Sequence, residues 1–175
     1  MKTIRITFES TVPATPLELW NWSTSVQGIG TEMAPILKLH SREGSIDVPQ
    51  NQDSLGKVLG KCTFLLFGIL PIDQSKLTFV EVEPGRRYVE QSPLLSMKRW
   101  RHERIIAPGM DGTSVIDKLD FTPRFFGGFA KWFISRLWKH RHAVLRRQFQ
   151  ERRSAGRTVP AFMHVRRNAS VLGRK

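Results

Sequence analysis

The sequence contains a single cysteine, Cys62, among its 175 residues. One cysteine excludes an intramolecular disulfide and a metal site built from several thiolates, and no H-E-x-x-H motif offers another metal site. We therefore predict neither a metal nor any other cofactor. Cys62 lies in a stretch typical of a buried strand, so a small core residue is the preferred interpretation and a reactive thiol the second.

Long apolar runs are also missing. The most apolar segment, residues 63–72, has about half the length that a membrane-spanning helix needs. The first ten residues, MKTIRITFES, alternate between polar and apolar and do not form the apolar run of a signal peptide. The sequence therefore predicts a cytoplasmic protein, and its length is that of one domain.

Acidic residues become scarce toward the C-terminus. Residues 131–175 hold 13 of the 28 Lys and Arg residues but only one of the 15 Asp and Glu residues. A solvated surface is the first interpretation of this basic end, and peripheral contact with an anionic membrane is the second. Nucleic acid is the last of the three interpretations, because no nucleic-acid-binding motif accompanies the charge.

Alternation and turn signals predict an α+β domain. Residues 2–9 alternate as a strand does, and Thr15-Pro16-Leu17-Glu18 has the residues of a capping box at the start of a short helix. A second short helix is predicted over 29–34. Six further strands are predicted at 36–40, 57–67, 75–83, 87–91, 97–107 and 113–122. Short turns between consecutive strands imply an antiparallel sheet, with the helices segregated from it.

A long helix is predicted over residues 128–153. Two neighbouring apolar stripes together predict one broad inward face, with a basic outer surface. The first stripe comprises Phe129, Trp132, Phe133, Leu137, His140 and Val144, and the second comprises Ile134, Trp138, Leu145 and Phe149. The domain is thus expected to span residues 1–153, followed by a basic flexible tail over 154–175.

The last two strands bring together the residues that could carry chemistry. A hairpin turning at 109–110 would place His102 opposite Asp117, Trp100 opposite Leu119 and Arg104 opposite Val115, with Phe121 on the same inward face. A histidine beside a carboxylate suits acid–base catalysis, but a mutually satisfied buried pair or a ligand-orienting pair is the preferred interpretation. Arg104 could bind a ligand carboxylate or pair with Asp117.

Two further histidines lie on the long helix. His140 and His142 are two residues apart, which puts them on different helix faces and excludes a shared metal site. We expect His140 to face the core or a cavity and His142 to be solvated.

The order of elements and four short motifs resemble the START-related helix-grip superfamily (SRPBCC) of polyketide cyclase/dehydrase-like and lipid-carrying proteins. The motifs are PLELW at 16–20, WRHER at 100–104, TSVID at 113–117 and WKHRH at 138–142, and the similarity covers residues 2–149. The resemblance implies an antiparallel sheet of six to seven strands that wraps around the C-terminal helix, with an apolar cavity between them. It implies no single activity, because the superfamily includes carriers, sensors and a minority of enzymes.

The leading hypothesis is a protein that binds or carries a hydrophobic or amphipathic small molecule, lipid-like or aromatic, in that cavity. The first alternative is a cyclase or dehydratase in which His102 is the acid–base residue and Asp117 orients it. The second is an interaction module with a filled core that acts through its basic surface. The predicted ligand contacts are Phe64, Leu66, Phe79, Trp100, His102, Arg104, Asp117, Leu119, Phe121, Phe133 and Leu137.

Overall fold

The computed structural model describes residues 2–41, 48–49 and 52–155. Within these residues, seven strands form one antiparallel sheet in the order β1-β7-β6-β5-β4-β3-β2. The strands are β1 (Ile4–Val12), β2 (Leu37–Ser41), β3 (Val58–Leu66), β4 (Leu70–Glu83), β5 (Arg87–Glu90), β6 (Met97–Gly109) and β7 (Gly112–Pro123). The helices are α1 (Pro16–Thr24), α2 (Val26–Met33) and α3 (Gly127–Ser154), with one 3-10 turn at Gln52–Ser54. This order confirms the predicted α+β fold. The predicted tail beyond residue 155 lies outside the described residues.

Helix α1 begins at the predicted capping box. The Thr15 hydroxyl accepts a hydrogen bond from the Glu18 amide at 3.3 Å, and the Thr15 amide donates to Oε2 of Glu18 at 2.9 Å. Ser25 then caps α2 by accepting from the Gly28 amide at 3.0 Å. A Cβ at Gly28 would lie 2.0 Å from the carbonyl oxygen of Trp22, so the tight junction between α1 and α2 requires glycine here.

The hairpin of β6 and β7 turns later than predicted. Strand β6 ends at Gly109 and strand β7 begins at Gly112, and the two residues between them form the turn. Arg104 therefore pairs with Asp117, His102 with Leu119 and Trp100 with Phe121, so the predicted pairs are wrong by two residues. A two-residue shift leaves every side chain on its predicted face, because side chains alternate with a period of two.

Helix α3 turns only part of the predicted apolar face inward. Its buried residues are Ile134, Leu137, Trp138, Arg141, His142, Val144, Leu145 and Phe149, which include the whole second stripe but only Leu137 and Val144 of the first. Phe129 and Trp132 are 64% and 58% exposed. His140 is half-buried and donates from Nε2 to the Ala34 carbonyl at 2.6 Å, while His142 is buried, which corrects its predicted exposure. Arg141 was predicted on the basic outer surface but is buried, because hydropathy does not place an arginine inside a domain.

The core consists of two clusters beneath α3. One cluster joins Leu145 and Phe149 to helix α1 and to strands β4 to β7, with Val115 and Leu19 fully buried. The other joins Leu137 and Trp138 to β7 and to residues of α2 and β2. Because α3 packs over β1 and β7, the opposite part of the sheet has room for a cavity.

Candidate ligand-binding site

A cavity of about 670 Å³ lies between the sheet, helix α2 and the N-terminal half of α3. This volume falls within the roughly 300–1,000 Å³ of ordinary small-molecule sites. Most of the wall is apolar, with Ile29 and Met33 from α2, Phe64 from β3, and Phe133 and Leu137 from α3. The wall therefore suits a ligand whose surface is mainly hydrocarbon or aromatic.

Seven of the predicted contact residues line this cavity. They are Phe64, Leu66, Phe79, Trp100, His102, Phe133 and Leu137. The other four do not line it. Leu119 and Phe121 are buried in the core cluster under α3, and Arg104 and Asp117 lie behind His102 in a network of buried charges. They miss the cavity because α3 covers the strand β7 side of the sheet.

Several polar residues in the wall were not among the predicted contacts. Tyr88 and Glu90 lie on β5, opposite Arg104 and His102 of β6. Pairing β5 with β6 would have placed them on the inward face, since directly opposed residues share a face. Arg141 and Trp138 also line the cavity, and only the correct phase of α3 would have revealed Arg141.

His102 stands at the boundary between the cavity and the buried network. Its Nε2 donates to Oδ1 of Asp117 at 2.9 Å, and its Nδ1 lies 3.6 Å from Oε2 of Glu90. The ring meets Tyr88 and Trp138 edge-on, with centroids 5.8 and 5.4 Å away. Two carboxylates and two aromatic rings therefore fix the position of His102.

Asp117 is the centre of the buried network. Burial acts to raise the pKa of its carboxyl group, but the charge and hydrogen bonds of Arg104, together with His102, outweigh burial and hold the pKa well below its usual range. Arg104 donates to both carboxylate oxygens, from Nε at 2.7 Å and from Nη2 at 2.8 Å. His142 adds a third donor at 3.0 Å. Asp117 is therefore ionised and fully hydrogen-bonded.

Glu32 is the second buried acid and comes from α2. Burial acts to raise its pKa, but the charges of Arg104 and Arg141 prevail and lower it. Nη1 and Nη2 of Arg104 donate to its two oxygens at 3.2 and 3.1 Å, and Nη2 of Arg141 donates at 2.9 Å. Two buried acids thus balance two buried arginines, and the network connects α2, α3, β6 and β7.

Three polar groups in the cavity wall have hydrogen-bonding capacity to spare. Nε1 of Trp138 is buried with no partner among the described residues. Among the described residues, neither the Tyr88 hydroxyl nor Nη1 of Arg141 has a hydrogen-bond partner, although both residues line the cavity. Burial raises the pKa of Tyr88 to about 12, so its hydroxyl keeps its proton at neutral pH. All three groups are donors.

The amino-acid sequence matches the model of one protein family. Its model, described as a domain of unknown function (DUF8410), matches residues 10–149. The chain belongs to the DUF8410 family. No curated protein matches the sequence significantly.

Solved structures similar to this DUF8410 member include protein CV1439 from Chromobacterium violaceum. It is 13% identical, with 83% of this chain and 97% of that chain covered and a TM-score of 0.64. The Zhui aromatase/cyclase from a Streptomyces species is 12% identical, with 89% and 98% covered and a TM-score of 0.63. The di-domain ARO/CYC protein StfQ, from the steffimycin biosynthetic pathway, is 10% identical, with 87% and 52% covered and a TM-score of 0.61. Together they confirm the helix-grip fold that the resemblance implied.

The DUF8410 cavity can exclude water from an apolar ligand and offer it several fixed donors. Among residues 2–41, 48–49 and 52–155, no cluster of His, Cys, Asp or Glu could hold a metal ion. In the same residues, no helix is long and apolar enough to cross a membrane.

Proposed function

We propose that the protein binds a hydrophobic or amphipathic small molecule in the cavity between sheet and helix. The observation that carries this proposal is the volume of about 670 Å³ inside a wall that is mainly apolar. Interiors of proteins are normally close-packed, so an open space of this size requires a reason. The hypothesis of an interaction module with a filled core does not accommodate such a cavity.

The polar end of the ligand would lie near Tyr88, Trp138 and Arg141. Tyr88 and Arg141 supply a hydroxyl and part of a guanidinium without partners among the described residues, and the indole N–H of Trp138 is buried in the wall without a partner among them. Donors need acceptors, and a buried donor left without one is costly. We therefore favour a ligand with a carbonyl, carboxylate or similar acceptor at one end of an apolar body.

Arg104 and Asp117 have a positioning role in this proposal. Both are fully buried and hydrogen-bonded to each other and to His102 or Glu32. They would hold His102 in the cavity wall and leave contact with the ligand to His102, Trp100 and the apolar residues. Of the two ligand classes, lipid-like and aromatic, the likeness to Zhui aromatase/cyclase supports the aromatic class.

A matched pair of variants on α3 tests the proposal. Ala130 lines the cavity, whereas Ala143 is exposed on the outer face of the same helix. Ala130→Trp should fill the cavity and weaken binding of the amphipathic dye anilinonaphthalene sulfonate by about tenfold or more, equivalent to about 1.4 kcal/mol. Ala143→Trp should bind as the unsubstituted protein does. Equal affinities in a fluorescence titration of both variants would place the dye elsewhere and defeat the proposal.

An enzyme of the cyclase or dehydratase type remains the second candidate. It is favoured by the position of His102, which lines the cavity while Asp117 and Glu90 flank its two ring nitrogens. Such a histidine is held in one orientation, as acid–base catalysis requires. His102→Gln should abolish turnover of a polyketide-like substrate in an enzyme, but should only weaken or spare ligand binding in a carrier.

A further inference from the structure

The mouth of the cavity is surrounded by exposed apolar side chains. Five residues both line the cavity and face solvent: Val26, Ile72, Phe125, Phe126 and Phe129, which are 42%, 41%, 69%, 83% and 64% exposed. We call these five residues the mouth patch. Three adjacent exposed phenylalanines are unusual on a protein surface, where apolar residues are normally scattered singly.

Two neighbouring segments extend the apolar surface. The ring of Trp132, 58% exposed, lies 5.7 Å from that of Phe129. At the tip of the β3–β4 hairpin, Phe67, Ile69 and Leu70 are 66%, 83% and 56% exposed, directly beside cavity-lining Leu66 and Ile72. Aromatic side chains from one helix and apolar side chains from one hairpin therefore lie on either side of the mouth.

The backbone holds two of these aromatic residues in a strained conformation. Phe67 has φ 51° and Phe126 has φ 46°, the left-handed region that bulky residues avoid. Glycine or asparagine would adopt this conformation at lower cost, and both side chains are exposed, so packing does not explain phenylalanine at either position. Strain of this kind concentrates at functional sites.

The exposed charges that flank the phenylalanines are positive, while Asp73, which lines the cavity next to Ile72, accepts a hydrogen bond from the Ser96 amide. Residues 124–150 contain no acid, and neither do residues 26–31 or 64–72. Exposed Arg124 and Lys131 flank the phenylalanines on α3 and its approach, and Lys38 reaches to within 3.7 Å of a Cβ placed on Gly68 at the hairpin tip. An apolar surface edged with cations is complementary to the interface of an anionic bilayer.

We infer that the mouth patch docks on the surface of an anionic phospholipid bilayer, with its aromatic side chains among the headgroups. A second copy of this chain is a poorer partner, since each copy has a net charge of +13 and the same cations beside its mouth. Docking here goes beyond ligand binding and does not depend on it, but it would open the cavity directly onto the membrane. Membrane contact was predicted for the basic C-terminal region, and we place it instead at the opposite end of α3.

Co-sedimentation of the full chain with vesicles tests this inference. The vesicles contain phosphatidylcholine with or without phosphatidylglycerol. The variant Phe126→Asn/Phe129→Gln removes two rings of the patch, and asparagine suits both the left-handed backbone and the N-cap position at 126. We expect its affinity for the anionic vesicles to fall about tenfold or more relative to the unsubstituted protein.

The matched control is Leu17→Gln/Met110→Gln. Both residues are exposed, at 64% and 103%, but neither lines the cavity. This control should bind anionic vesicles within about twofold of the unsubstituted protein, because its substitutions leave the docking surface intact. Lys131→Glu should also weaken binding, and the unsubstituted protein should bind vesicles of phosphatidylcholine alone less tightly.

Three results would overturn the inference. The first is unchanged vesicle binding by Phe126→Asn/Phe129→Gln, which would assign the contact to the basic C-terminal region. The second is affinity that does not respond to phosphatidylglycerol. The third is a dimer in sedimentation velocity that the phenylalanine substitutions dissociate, which would assign the patch to a second copy. Ala130→Trp should keep vesicle binding while it loses the dye, so failure of one proposal is distinguishable from failure of the other.

Discussion

Helix α3 covers two regions of opposite character. Beneath its C-terminal half the space is filled by Leu145 and Phe149 and by the balanced charges of Glu32, Arg104 and Asp117. Beneath its N-terminal half, Leu137 and Trp138 pack against β7, and the cavity lies open beside them. The difference shows how the open region can persist. The network ties both strands of the β6–β7 hairpin to α2 and α3, and so holds the walls of the cavity apart.

The largest effect that distinguishes the two regions should follow from breaking the network. Glu32→Gln leaves Arg104 and Arg141 without one of their buried counter-charges, and we expect a loss of about 3–5 kcal/mol in the free energy of unfolding. Urea denaturation followed by circular dichroism measures it. The control Glu151→Gln alters an exposed pair with Arg147 at 3.9 Å and should change stability by less than about 0.5 kcal/mol. A similarly small loss for Glu32→Gln would refute the structural role of the network.

Acid should destabilise the filled region through the same carboxylates. Asp117 and Glu32 have pKa values lowered by folding, so their contribution is complete above their unfolded pKa values of about 4 and is lost as pH falls through the folded values. Urea unfolding across this acid range should show stability decreasing as pH falls, with a shallower decrease in Glu32→Gln. Parallel pH curves for the two proteins would contradict the assigned direction.

Truncating one leucine in each region sharpens the comparison. Leu145 is fully buried among core residues, whereas Leu137 lines the cavity. Leu145→Ala should cost about 3–5 kcal/mol and Leu137→Ala about 2–3 kcal/mol, because a side chain that borders an existing cavity loses fewer contacts. Both values come from urea denaturation. A larger loss for Leu137→Ala would indicate that the cavity region is packed more tightly than its open volume implies.

The smallest effect separates the two histidines of α3. His142 is buried and hydrogen-bonded to Asp117 and Ser10, while His140 makes one bond to a carbonyl at the surface. His142→Ala should cost about 2–3 kcal/mol and His140→Ala about 1 kcal/mol or less. Equal losses in thermal or urea unfolding would speak against the orientation of the helix.

Local signals predicted the fold closely. The capping box at Thr15 fixed the start of α1, and the alternation of β6 and β7 placed His102, Arg104 and Asp117 on the inward face although the turn was misplaced. Face assignment survived because a shift of two residues preserves the alternation. Local chemistry and periodicity therefore carry much of the architecture.

The site was less accessible from sequence, for a physical reason. Arg141 lies on the inward face of α3, where it pairs with Glu32 of α2, 109 residues earlier in the chain. That long-range charge pair makes a buried arginine tolerable, and hydropathy alone assigns arginine to the surface. In the same orientation of the helix, His142 is buried and Phe129 and Trp132 are exposed.

Native mass spectrometry of the purified protein tests the binding cavity most directly. We predict one bound amphipathic molecule per chain, either co-purified or supplied as anilinonaphthalene sulfonate, on the unsubstituted protein and on Ala143→Trp, and its loss from Ala130→Trp. After addition of the dye, an adduct on all three proteins, or on none of them, would contradict a ligand-binding function of the cavity.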